Sequence, residues 1–140
     1  MRHNILFFLL LVFLFGSCGK NKTPSTVISS PSGVEVTQLS KGGIQDLNVP
    51  QSMAIQGAIY LDVRTQEEVD GGAIPNSVHI DFRKDNFEEE VLKLDKTKAY
   101  VVYCRSGARS SKASKMMVDL GFGKVANMAG GYNEYKVVME

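Results

Sequence analysis

The sequence predicts an α/β fold, a three-layer sandwich in which a mostly parallel sheet of about five strands is covered by helices on both faces. Two observations carry the prediction. Short apolar runs of strand length alternate with segments whose apolar residues fall at helical spacing. The inner runs at 58–63 and 100–103 are apolar without alternation, as strands covered on both faces must be. The chain has 140 residues, so one domain is expected, placed at 34–140.

The elements follow in order. Val34-Glu35-Val36 alternates like a short first strand. Residues 40–47 read as a short helical turn that ends before Val49-Pro50. Residues 58–63 form a continuous apolar strand that closes on Asp62. Glu67-Glu68-Val69 suggests a brief helix, stopped by Gly71-Gly72. Val78-His79-Ile80 is a third strand, and 87–94, with apolar residues at 87, 91 and 94, is a helix. Tyr100–Tyr103 is the fourth strand. Ala113, Met116, Met117 and Leu120 then share one helical face, with Gly121 as the stop. Val125–Met128 is the fifth strand, and 132–138 the last helix.

Composition sets further bounds. A formal net charge of +1 and the lack of a basic stripe with interleaved aromatics exclude a nucleic-acid surface. No His, Cys or carboxylate cluster has metal-ligand spacing, so neither metal nor other cofactor is expected. His79 reads as a core-edge or surface histidine, and Met116-Met117 as part of a core face.

The amino terminus stands apart from the domain. A short polar, positive segment precedes an apolar run from residue 5 to residue 15, too short to span a bilayer and suited to the core of a secretory signal. Gly16-Ser17-Cys18 closes that run. The arrangement resembles a bacterial lipoprotein signal (residues 1–17), although Phe15 stands where leucine is commonest. The resemblance implies cleavage before Cys18 and lipidation of its thiol. It also implies a cell-envelope location, anchored in the membrane and facing periplasm or exterior. Residues 18–33 would then be the lipidated cysteine and a Pro-, Ser- and Lys-containing tether. The chain has two cysteines, so lipidated Cys18 would leave Cys104 as the single thiol of the mature domain.

Cys104 follows the fourth strand and opens the hexapeptide Cys104-Arg105-Ser106-Gly107-Ala108-Arg109, after which a helix begins. A strand end, a loop of small residues and a helix amino terminus make an anion cradle with a nucleophile at its floor. Inward-turned amides, the helix dipole and the charges of Arg105 and Arg109 should all lower the Cys104 pKa. Gly107 allows a positive φ, and Ser106 and Ala108 keep the rim narrow. Asp62 also ends a strand, which would bring it to the same crevice.

From residue 60 to residue 136 the chain resembles a single-domain rhodanese, a sulfurtransferase. The matching segments are Leu61-Asp62-Val63-Arg64, Glu67-Glu68, Gly72-Ala73-Ile74-Pro75-Asn76-Ser77, residues 100–109, Leu120-Gly121-Phe122 and Gly130-Gly131-Tyr132-Asn133-Glu134-Tyr135. Ala73 stands where the family often has His, and Tyr135 where it often has Trp. The resemblance implies a rhodanese-like three-layer fold and a two-step reaction. Cys104 would take the outer sulfur of a small anionic donor such as thiosulfate and hold it as a persulfide. A cyanide-like or thiol acceptor, small or on a protein, would then remove it. The loop from Arg105 through Ser106, Gly107 and Ala108 to Arg109 would bind substrate, and Asp62 and Arg64 would brace the site. Two roles stay open for Arg109, holding the donor or pairing with Asp62.

Two rival readings fit parts of the same sequence. Phosphatases on this fold place five residues between cysteine and arginine, whereas four separate Cys104 from Arg109, a tighter loop that suits sulfur. A non-catalytic binding or sulfur-carrier module is disfavoured by the intact cysteine and cradle, although fold alone does not establish activity.

Overall fold

The structure, a computed structural model, describes residues 43–139. The expected signal, Cys18, the tether and the expected strand at 34–36 lie outside the described residues. Among the described residues ten elements alternate: β1 (Gln45–Leu47), α1 (Val49–Met53), β2 (Ile59–Asp62), α2 (Gln66–Asp70), β3 (Val78–His79), α3 (Phe87–Leu92), β4 (Tyr100–Tyr103), α4 (Ala108–Asp119), β5 (Val125–Met128) and α5 (Gly131–Met139). The strands form one sheet in the order β1-β5-β4-β2-β3, and all four pairings are parallel.

β4 lies at the centre, and all four of its residues are buried. Its side chains divide by parity, as the period of a strand requires. Val101 and Tyr103 join the core under α1 and α5, with Val49, Tyr132 and Tyr135. Tyr100 and Val102 join the opposite core under α3 and α4, with Phe87, Val91, Ala113 and Met117. Each such side chain contributes about 1.5–3 kcal/mol by leaving water, so this strand binds both helical layers to the sheet.

One stretch departs from expectation. Residues 45–47 form an edge strand rather than part of a helical turn, and a helix begins at Val49 rather than stopping before it. Asn48 is the reason. Its side chain accepts from the Gln51 amide at 2.9 Å, and the Gln51 side chain accepts from the Asn48 amide at 3.1 Å, a reciprocal cap that starts a helix there. Pro50 falls in the first turn, where no N–H is needed. The residues before the cap pair instead with β5, and Asn127 Nδ2 donates to Asp46 Oδ1 across the ladder at 2.7 Å.

In a parallel sheet every strand ends on the same edge. The loops after β2, β3 and β4 therefore emerge side by side, with the β2 loop in the middle.

Candidate active site

Cys104 directly follows β4 and lines a cavity of about 360 Å³. The walls come from three loops. Arg105, Ser106, Ala108 and Arg109 follow β4, Thr65 and Glu68 follow β2, and Arg83 follows β3.

The loop after Cys104 is shaped by two glycines. Gly107 caps α4 with φ 92°, and a Cβ there would overlap the Ala129 carbonyl. Gly131, at φ 60°, lies so close to the loop backbone that a Cβ would crowd the Cys104 carbonyl oxygen at 2.5 Å. Both need the left-handed region and the missing side chain. The first turn of α5 then clamps the loop from behind. The Tyr132 amide donates to the Cys104 carbonyl at 2.8 Å and the Asn133 amide to the Arg105 carbonyl at 3.0 Å. These free helix-end donors thereby find partners.

The sulfur faces donors. The Gly107 amide reaches Sγ at 3.2 Å, and the buried Ser110 hydroxyl lies 3.5 Å from it. Burial pushes the thiol up. The Ser110 hydroxyl and the amides of Ser110, Ser106 and Arg109 outweigh that effect, so the thiol sits below its ordinary value. The arginine share that the sequence leads one to expect is present at Arg109, whose guanidinium interacts with the Cys104 sulfur. The hydrogen-bond donors carry the shift, and Ser110, absent from the sequence-derived site, is foremost among them.

Arg109 serves two groups, Glu68 first and the Cys104 sulfur after it, and both hold its guanidinium in the charged form. It forms a two-pronged ion pair with Glu68, Nη1 to Oε2 and Nη2 to Oε1, each at 2.7 Å. The expected alternative partner, Asp62, is engaged elsewhere. Glu68 is aimed by its own helix cap, because it is the fourth member of the Thr65 capping box and accepts from the Thr65 amide at 3.1 Å. Hydrogen bonding to Arg109 is the main cause that draws the Glu68 carboxyl down to about 2.

Asp62 and Arg64 are buried and do not line the cavity. The Arg64 guanidinium folds back on Asp62, with Nη2 to Oδ2 at 2.6 Å and Nε to Oδ1 at 2.9 Å, and both side chains are buried. It also donates to the carbonyls of Glu68 and Gly72 and stacks over the Tyr132 ring at 4.1 Å. This pair ties the β2 loop to α2 and α5 and so supports the wall that holds Glu68. His79 Nε2 is 2.8 Å from the Arg64 carbonyl oxygen, a contact that orients the same loop.

Sequence reasoning missed Thr65, Glu68 as an ion-pair partner, Arg83 and Ser110. Thr65 and Glu68 were readable as a Thr-x-x-Glu cap. Ser110 was readable only as the residue one helical turn after Gly107. No local signal marks Arg83.

A buried, donor-surrounded thiol at the carboxyl edge of an all-parallel five-stranded sheet defines a class: a single α/β domain built around one cradled sulfur. The chain belongs to the rhodanese-like domain family, whose pattern matches residues 48–137. It is 46% identical over 98 residues to "Putative sulfurtransferase YtwF" of Bacillus subtilis, covering 70% of this chain and 88% of that protein. It is 33% identical over 86 residues to the thiosulfate sulfurtransferase GlpE of Pseudomonas savastanoi, covering 61% of this chain and 79% of that one. Among solved structures it resembles a rhodanese-related protein of Thermoplasma volcanium, at 27% identity and a TM-score of 0.57, over 66% of this chain and 91% of that one. The human single-domain sulfurtransferase TSTD1 shares the fold at 23% identity and a TM-score of 0.58, over 70% of this chain and 100% of that one.

Proposed function

We propose that the protein is a sulfurtransferase that works through a persulfide on Cys104. The observation that carries this reading is the sulfur itself: a buried thiol whose pKa lies below its ordinary value because backbone and hydroxyl donors surround it. Those donors stabilise a thiolate, and they equally suit the terminal sulfur of a persulfide anion. The names of the relatives agree with this chemistry.

The thiolate Sγ attacks the outer sulfur of thiosulfate. A new S–S bond forms, the old one breaks, and sulfite leaves with the bonding pair. A thiophilic acceptor then attacks the outer sulfur of the persulfide. With cyanide the product is thiocyanate, and the pair of the broken S–S bond returns to Sγ as thiolate. No net oxidation is needed. The loop amides hold negative charge in both half-reactions, while Arg109, fixed by Glu68, shapes the wall.

The test is mass spectrometry of the protein after thiosulfate treatment. One added sulfur atom on Cys104, removed by cyanide or a thiol, is the expected result. Absence of any adduct, together with turnover of a phosphate ester, would replace the reading with that of a phosphatase.

The amino terminus adds a location to the proposal. Lipidation at Cys18 would hold the domain at a bacterial envelope membrane by its tether, since about 0.8 kcal/mol of affinity accrues per buried methylene. Cys18→Ser should release the protein into the soluble fraction; retention in the membrane would refute the anchor.

A further inference from the structure

We propose that Arg83, on the loop between β3 and α3, is a specificity-determining residue that receives the anionic end of the sulfur donor. The inference rests on the sulfurtransferase reading of Cys104. The cavity holds three guanidinium groups, Arg83, Arg105 and Arg109, and one carboxylate, Glu68. Arg109 and Glu68 satisfy each other in a two-pronged pair, so together they bring no net charge. With Arg109 engaged by Glu68 and the Cys104 sulfur, Arg105 and Arg83 are the cavity's remaining positive charges for an incoming anion.

Arg105 belongs to the cysteine loop itself. Arg83 arrives from another part of the sheet, because β2 lies between β3 and β4. The two cations thus come from loops on opposite sides of the β2 loop. The backbone at Arg83 is held in place. Its amide donates to Asp81 Oδ1 at 2.9 Å, and the neighbouring Phe82 amide donates to the Val63 carbonyl at 3.3 Å. Phe82 packs edge-on against Phe87 with ring centroids 5.0 Å apart. The side chain itself is exposed and lines the cavity. Lys84, the next residue, lines a separate cavity with His79 and Glu90 instead.

This placement answers an electrostatic problem of the reaction. A thiolate repels an anionic donor, and like charges in a cleft cost more than in bulk water. A second guanidinium, outside the cysteine loop, offsets that repulsion and draws in the end of the donor remote from the transferred sulfur. The substrate class is therefore a sulfane-sulfur donor with a sulfonate-like or carboxylate end beyond its reactive sulfur. At about 360 Å³ the cavity has room for such a donor.

The experiment compares alkylation of Cys104 by anionic iodoacetate and neutral iodoacetamide, read by mass spectrometry, in the unsubstituted protein, Arg83→Ala and Arg83→Lys. Thiosulfate kinetics are measured beside it. In Arg83→Ala the iodoacetate-to-iodoacetamide rate ratio should fall about tenfold, equivalent to about 1.4 kcal/mol. The loss of sulfurtransfer should fall on the KM for thiosulfate, and Arg83→Lys should restore most of both. An unaltered ratio and KM in Arg83→Ala, where the unsubstituted protein takes sulfur onto Cys104, overturn the role of Arg83 and leave the sulfurtransferase reading standing. If thiosulfate gives no adduct on the unsubstituted protein, that reading falls and the donor role of Arg83 falls with it.

Discussion

Replacing Ser110 with alanine should raise the pKa of Cys104, because its hydroxyl is first among the donors that hold the thiol below its ordinary value. The Ser110 hydroxyl lies 3.5 Å from Sγ and 3.0 Å from the Gly107 carbonyl, and its single proton serves one acceptor at a time. With the thiol protonated, the carbonyl takes it; with the thiolate formed, the sulfur does. A hydrogen bond to a charged group is worth about 1.5–3 kcal/mol, and a tenfold change in thiolate fraction corresponds to about 1.4 kcal/mol, so a contact this long gives the lower end. Below both midpoints the thiolate fraction then falls about tenfold, while the more basic thiolate regains about threefold in intrinsic reactivity, leaving a net loss of about threefold to fourfold. The fold should tolerate the change, because the Gly107 carbonyl keeps the Ser111 amide at 2.9 Å. The assay is the pH dependence of Cys104 alkylation by iodoacetamide, with thermal denaturation as the control for folding. A midpoint that stays put or moves down, in a variant that melts like the parent, would refute the account of how the thiolate is stabilised.

Three further outcomes are expected. Glu68 has a folded pKa of about 2, below its ordinary value of 4.5, so its contribution is present above pH 4.5 and is lost as pH falls from about 4.5 toward 2. In urea unfolding, Glu68→Gln should be less stable than the parent by about 1–3 kcal/mol at pH 7, and the gap should close near pH 2; a gap independent of pH contradicts the pair. Arg64→Met strands the buried Asp62 carboxylate and should cost about 3–5 kcal/mol in the same measurement, with a loss below about 1 kcal/mol counting against the bracing role. Gly107→Ala forces a side chain into the Ala129 carbonyl at a positive φ; it should lower thermal stability sharply and slow Cys104 alkylation, and parent-like values of both would show that the loop can adjust.

The centre of this molecule was legible because its signals are local. An unbroken apolar run made β4, Cys104 closed it, and a small-residue loop followed by an apolar stripe made the cradle and α4. Contacts between distant parts of the chain were not legible. Gln45-Asp46-Leu47 lacks the apolar pattern of a strand and becomes an edge strand through pairing with β5, where Asn127 and Asp46 meet across 81 residues. The partner of Arg109 lies 41 residues earlier, and charge alone could not choose between Asp62 and Glu68. Arg64 settled that choice by closing on Asp62 two residues away, which left Glu68 to be aimed by its helix cap. Arg83 stayed hidden because only the strand order brings the loop after β3 into the wall around Cys104.

The clamp between α5 and the cysteine loop has a consequence for how the protein can be handled. The carbonyls of Cys104 and Arg105 are each held by an amide from the first turn of a helix whose last residues, Val137 to Met139, are exposed. Any carboxy-terminal fusion or trimming that frays this helix back to Tyr132 loosens the nucleophile's own peptide plane. A reporter fused there would act as a lever on the reaction centre, and the Tyr132 and Asn133 amides, followed by hydrogen exchange, would register the loosening before the domain unfolds.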